Sequence, residues 1–127
     1  MSDHGTGPTG CVAVFVVTDI DASIDYYRDA MGFDVAFTYG EPTYFAGVCR
    51  GEVTLYLQLM SQTPRPPGGS WLCIFVGDVD AMHRELVESG AEILKEPASY
   101  PYGMREFNVE DPDGNTIIYG SPAEAHA

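Results

Sequence analysis

The sequence predicts an α+β fold: two tandem βαβββ modules forming a curved mixed sheet with a concave inner face and helices outside. Three observations predict it. Apolar residues alternate with period two in several short runs, and with helical spacing in two longer ones. The order strand, helix, three strands occurs twice. Phe15-Val-Val-Thr-Asp-Ile-Asp-Ala22 matches Ile74-Phe-Val-Gly-Asp-Val-Asp-Ala81 at a spacing of 59 residues, and Val12 pairs with Trp71 at the same spacing. This is an internal repeat. Neither half alone covers both faces of its sheet, whereas two halves side by side can.

Residues 1–9 are polar and Gly-rich and read as a flexible arm. The first module spans residues 10–61. Residues 10–17 are an apolar strand. Asp19 and Asp21 offer N-caps to a helix running to about Met31, with Ile20, Ile24, Tyr27 and Met31 on one face. Gly32 ends it. Strands follow at 34–39, 43–49 and 53–59. In the last, Val53, Leu55, Leu57 and Leu59 alternate with Thr54, Tyr56 and Gln58. Residues 62–70 are a Pro/Gly linker.

The second module spans 71–120, within one structural domain overall. It comprises a strand at 71–76 and a helix capped by Asp78 and Asp80, with Val79, Met82 and Leu86 inward and Gly90 at its end. A short strand at 92–94 and a hairpin over 104–119 complete it. Asp111-Pro-Asp-Gly-Asn115 is the hairpin's turn: Pro112 presets φ, Gly114 permits positive φ, and the Asp and Asn side chains cap local backbone groups. Residues 121–127 read as a tail.

With 127 residues, 45% hydrophobic and 20% charged, the composition is globular. The net charge of −13 opposes nucleic acid, whose phosphates it repels, and suits a cationic ligand. No apolar run approaches the roughly 18 residues of a membrane span, so no membrane partner is expected. No basic segment followed by an apolar stretch opens the chain. Cys11, Cys49 and Cys73 have no paired spacing and read as reduced core residues of a cytoplasmic protein. Cys49 and Cys73 fall in strands with no His in sequence reach to make either a nucleophile. Gly68-Gly69 lies in the linker and follows no strand as a phosphate loop would.

The duplicated unit, with Asp19-Ile-Asp-Ala22 and Asp78-Val-Asp-Ala81 at the helix starts, resembles the vicinal oxygen chelate superfamily, which includes glyoxalase I, extradiol dioxygenases, and fosfomycin and bleomycin resistance proteins. Tyr26-Tyr-Arg-Asp-Ala-Met-Gly-Phe33 and Glu110-Asp-Pro-Asp-Gly-Asn115 look like its most recurrent stretches. Phe45-Ala-Gly-Val48, Val53-Thr-Leu55 and Pro101-Tyr-Gly-Met-Arg-Glu-Phe107 are similar to the bleomycin-resistance branch. That branch typically has Pro-Trp-Gly-Arg-Glu-Phe; here Tyr102 replaces the Trp and Met104 is additional.

In enzymes of the superfamily, His, Gln or Glu converge on a divalent ion from four strand positions, at ~2.0–2.2 Å. The corresponding positions here carry Val12, Trp71, either Leu55 or Tyr56, and Ile118. No metal and no other cofactor is therefore expected. His4 and His126 fall in the terminal segments, and His83 reads as a solvated helix residue. Glu106, Asn108 and Glu110 share one strand face and are the remaining conceivable carboxylate site.

In the bleomycin-resistance branch the drug's bithiazole is held between a Phe and a Trp. Carried over, Phe45 and Tyr102 form that clamp. Trp71, Tyr56 and Phe107 are further aromatic contacts, and Arg105 and Glu106 are polar ones. Glu41, Glu52 and Glu110 are acids near the clamp segments, suited to a cationic tail. The resemblance also implies a homodimer with sites built across the two chains. Two functional readings follow: a non-catalytic antibiotic-binding protein that sequesters bleomycin or another aromatic cation, or a metal-dependent enzyme of the glyoxalase or dioxygenase type.

Overall fold

The computed structural model describes residues 5–123. The chain runs β1 (Ala13–Val17), α1 (Ile20–Asp29), β2 (Asp34–Tyr39), β3 (Phe45–Arg50), β4 (Val53–Leu59), a 3-10 turn (Met60–Gln62), β5 (Trp71–Phe75), α2 (Val79–Ser89), β6 (Glu92–Ser99), β7 (Met104–Glu110) and β8 (Thr116–Pro122). Strand, helix, three strands occurs twice. The strands form two four-stranded mixed sheets, β1-β4-β3-β2 and β5-β8-β7-β6, neither closed on itself. In each, the module's first strand lies parallel to its last, and the hairpins are antiparallel.

Both helices start on the residues that the pattern predicts. Asp19 accepts the Ala22 N–H at 3.1 Å, and Asp78 accepts the Ala81 N–H at 3.0 Å. Such caps stabilise by about 1 kcal/mol each. Asp21 and Asp80 are not caps. Both lie in a first turn, where a carboxylate suits the helix dipole, and Asp80 turns to Arg105. Gly90 ends α2 with φ 92°, a left-handed conformation open to glycine at little cost. α1 stops two residues before Met31, which nevertheless stays buried.

Period two is clearest in β4 and β7, where Leu55, Leu57, Phe107 and Val109 are buried between less buried neighbours. Phe15 and Val17, Ala46 and Val48, and Leu55 and Leu57 bury against α1. Ile74, Phe107, Val109, Ile117 and Tyr119 do so in the second module. Together with Ile20, Ile24, Tyr27 and Leu86 from the helices, these residues make a single core spanning both modules. The opposite face of each sheet is only partly exposed: Val16, Thr116 and Ile118 on it are buried, whereas Phe37, Trp71 and Phe75 are exposed.

The Asp111-to-Asn115 turn does more than reverse the chain. Asp111 Oδ1 accepts the N–H groups of Asp113 and Asn115, each at 2.9 Å. Its Oδ2 accepts the Tyr27 hydroxyl at 2.9 Å and Asn115 Nδ2 at 3.0 Å. Asn115 Nδ2 also donates to the Val16 carbonyl, and Asn115 Oδ1 accepts the Ser70 N–H. Asp113 accepts both the N–H and the hydroxyl of Thr18. A turn of the second module is thereby tied to β1, α1 and the linker. Both Asp111 and Asn115 are buried, so each bond also removes a desolvation cost.

Some boundaries differ from expectation. β6 runs to Ser99 rather than ending at Leu94, because Pro97 falls inside a register shift between Lys95 and Ala98, where the ladder needs no N–H. β8 continues through Ser121 and Pro122, opposite Arg105 and Met104. β3 begins at Phe45, two residues late.

Candidate functional site

The open face of the first sheet is aromatic. Phe45, Gly47 and Cys49 on β3 lie opposite Gln58, Tyr56 and Thr54 on β4. From β2, Phe37 pairs with Gly47, and a Cβ on that glycine would run into the Phe37 ring. The missing side chain lets Phe37 lie down beside Phe45 and Tyr56. Phe37 stacks on Phe45 with centroids 6.0 Å apart, and Tyr56 stands edge-on to both, at 5.5 and 5.3 Å. Register resolves the Leu55 or Tyr56 ambiguity: Leu55 is core and Tyr56 is on the open face.

On the second sheet Trp71, Cys73 and Phe75 alternate with Leu72 and Ile74, which pack inward. Trp71 and Phe75 are 73% and 76% exposed. Across the same face lie Ile118 opposite Cys73, and Glu106, Asn108 and Glu110 on β7. The Tyr102 hydroxyl donates to Glu106 Oε1 at 2.7 Å. That bond holds the phenol up at about 12, so Tyr102 stays neutral and remains a donor. Tyr100 stacks on Tyr102 with centroids 5.4 Å apart and planes 5° from parallel.

The expected site residues therefore divide. Phe45 and Tyr56 lie on one open face; Trp71, Tyr102 and Glu106 lie on the other. Within one chain Phe45 stacks with Phe37 and Tyr102 with Tyr100. Phe107 and Arg105 are elsewhere. Phe107 is 0% exposed, stacked on Tyr119 at 5.1 Å in the core. Arg105 faces α2 and makes two bonds to the Asp80 carboxylate, at 2.9 and 2.8 Å. Both are odd-numbered neighbours of Glu106, and a pleated strand sends neighbours to opposite faces. Phe37 and Tyr100 were missed. The alternation of Val35, Phe37 and Tyr39, and the i, i+2 spacing of Tyr100 and Tyr102, carry their signal.

The histidine and cysteine expectations also change. His83 is half-buried, its ring edge-on to Phe107 at 5.2 Å and its Nε2 2.9 Å from Glu96 without hydrogen-bond alignment. His4 and His126 lie outside the described residues. Cys11 and Cys73 are exposed and Cys49 half-buried, because Cys73 shares parity with Trp71 and Cys11 precedes β1. The expected ligand positions offer no set that fits a divalent ion: Val12 lies just before β1 and Trp71 on β5, Tyr56 pairs with Val14 and Ile118 with Cys73, and Gln58 is the single amide on the open face of β4. Among the described residues no group of three His, Cys, Asp or Glu converges.

Two βαβββ modules, each leaving an aromatic open face, define a class of small domains whose exposed sheet faces hold either a metal centre or a small molecule. Residues 11–119 match the model of the Glyoxalase/Bleomycin resistance protein/Dioxygenase superfamily, and the chain belongs to that family. An uncharacterised protein of Mycolicibacterium smegmatis is 33% identical over 96% of this chain and 97% of its own length. Among solved structures, the bleomycin-binding protein of bleomycin-producing Streptomyces verticillus, complexed with copper(II)-bleomycin, is 27% identical. It superposes with a TM-score of 0.75 over 90% of this chain and 96% of that one. TnmS3, an antibiotic-binding protein from Streptomyces sp. CB03234, is 29% identical with a TM-score of 0.76 over 94% and 99%. No described helix is long and apolar enough to cross a membrane.

Proposed function

We propose that this protein is a cytoplasmic, non-catalytic binder that sequesters an aromatic, cationic antibiotic-type molecule. Two copies form a homodimer in which the first sheet's open face of one chain meets the second sheet's open face of the other. Phe45, backed by Phe37 and Tyr56, then opposes Tyr102 across the ligand, with Trp71 beside it. Glu106 and Glu110 supply negative charge for a cationic tail. The observation that carries this reading is the pair of aromatic open faces, with Trp71 left 73% exposed on one of them. A large ring exposed to that degree on a sheet face is a surface waiting to be covered. The likeness to two antibiotic-binding proteins supports the choice of ligand class. Stacking a flat ligand between rings stabilises by roughly 0.5–1.5 kcal/mol per pair beyond the area buried.

Trp71 is the chain's single tryptophan, so its fluorescence reports the site directly. Titration with bleomycin is expected to quench it saturably at one equivalent per chain, more weakly at high salt. An unquenched Trp71 with no heat on mixing would remove bleomycin as the ligand. The alternative, a metal-dependent enzyme, requires a stoichiometric divalent ion in the purified protein, which elemental analysis detects.

A further inference from the structure

The register of the second sheet sets three residues in one row across its open face. Phe75 on β5 lies opposite Gly120 on β8, and Gly120 lies opposite Glu106 on β7. Neighbouring strands are about 4.8 Å apart, so the aromatic and the acid are rooted about 10 Å from each other. Phe75 is 76% exposed, more than any other large apolar side chain among the described residues. The central position carries no side chain, and the acid leans into the space. Glu106 Cγ lies 3.3 Å, and Met104 Cε 3.4 Å, from where a Cβ on Gly120 would stand. Glu106 thus reaches over β8 toward Phe75. Its carboxylate accepts the Tyr102 hydroxyl at Oε1, and no Lys, Arg or His among the described residues pairs with it. An exposed ring and an uncompensated carboxylate therefore share one row, with no bulky residue between them.

We infer that the row of Phe75, Gly120 and Glu106 is the cation subsite of this face, and that it takes an alkylammonium group in preference to a guanidinium. The inference rests on the reading of the protein as a binder of aromatic cations, and it fixes where the charge is held and in what form. A cation over the Phe75 ring gains from the ring's negative face, and the same cation is neutralised by Glu106. Tyr102 decides the form. A guanidinium grips a carboxylate through two parallel N–H bonds and needs both oxygens. Here Oε1 already accepts the Tyr102 hydroxyl, which leaves Oε2 for a donor that needs one oxygen. An ammonium is such a donor.

The test uses the chain labelled with 13C at the methionine methyls, because the Met104 methyl lies in the row. Three probes share one apolar chain: n-butylammonium, n-butylguanidinium and n-butanol, at constant ionic strength. Butylammonium is expected to shift the Met104 methyl saturably, butylguanidinium to bind more weakly, and butanol to leave the signal in place. Phe75→Leu and Glu106→Gln are each expected to weaken butylammonium by about threefold or more. Gly120→Ala keeps both groups but displaces Glu106, and is expected to weaken it as well. Asp21→Asn removes a distant charge on α1 and is expected to leave the affinity unchanged. An unmoved Met104 methyl, equal affinity in Phe75→Leu and Glu106→Gln, an equal loss in Asp21→Asn, or tighter binding of butylguanidinium would each overturn the inference. Phe75 is exposed, so its variant keeps the fold and the test does not depend on a core substitution. Bleomycin quenching of Trp71 is read separately. Quenching without a butylammonium shift removes the subsite and keeps the capture reading, and a shift without quenching removes bleomycin and keeps the subsite.

Discussion

The Tyr102 hydroxyl is bonded to the Glu106 carboxylate at 2.7 Å, joining a loop ring to a strand acid on the second sheet's open face. The pair presents an aromatic ring with a carboxylate at its hydroxyl edge, a combination that suits an aromatic cation. The bond raises the Tyr102 pKa from its ordinary 10.0 to about 12. A raised folded-state value means that the bond's contribution is full below pH 10 and is lost as pH rises through about 12. In Glu106→Gln, tyrosinate absorbance is therefore expected to show Tyr102 ionising at lower pH than in the native chain, with Tyr102→Phe identifying the transition.

Ring area governs the proposed clamp. Phe45→Ala and Tyr102→Ala are each expected to weaken bleomycin binding about tenfold, with unfolding midpoints little changed at exposed Tyr102. Tyr102→Trp, which enlarges the stacking surface, is expected to tighten it. Fluorescence titration measures all three, and a tightened Tyr102→Ala would refute the clamp.

If Phe45 and Tyr102 meet only across two chains, defects in the two variants complement each other. Phe45→Ala and Tyr102→Ala chains, mixed and co-refolded, form heterodimers with one site that lacks both rings and one that keeps both. Calorimetry is then expected to find about one full-affinity site per four chains, because half of a random mixture is heterodimer. No recovery would place the two rings in one chain's site.

The Tyr27 to Asp111 bond anchors the folded state rather than the ligand. Removing the Asp111 carboxylate in Asp111→Ala strands four donors in a buried turn, and urea unfolding is expected to show a loss of about 3 kcal/mol. Tyr27→Phe leaves Asp111 with its other donors and is expected to cost about 1 kcal/mol. The sequence shows Asp111 and Asn115 as turn residues. Their reach to Val16, Ser70 and Tyr27 is a contact over long sequence separation, which local turn chemistry does not contain.

Periodicity made the fold legible. Ile20, Ile24, Tyr27 and Met31, read as one helical face, are all buried, and Asp19 and Asp78 cap where the repeat places them. The site was legible only in part, because naming Phe107, Glu106 and Arg105 together ignores that a strand alternates. Phe107 and Arg105 belong to the core side, so Arg105→Ala is expected to leave ligand affinity unchanged. It should cost about 0.5 kcal/mol of stability through the lost Asp80 pair, as a urea midpoint reports.

Capture without chemistry is the central claim, and one titration tests it most directly. Bleomycin is added to the protein in a calorimeter, and the ligand is then released by denaturation and weighed by mass spectrometry. The account predicts saturation at one molecule per chain, weakening with salt, and recovery of the drug at unchanged mass. A drug recovered altered, or no saturable heat with bleomycin or any other aromatic cation tried, would contradict it.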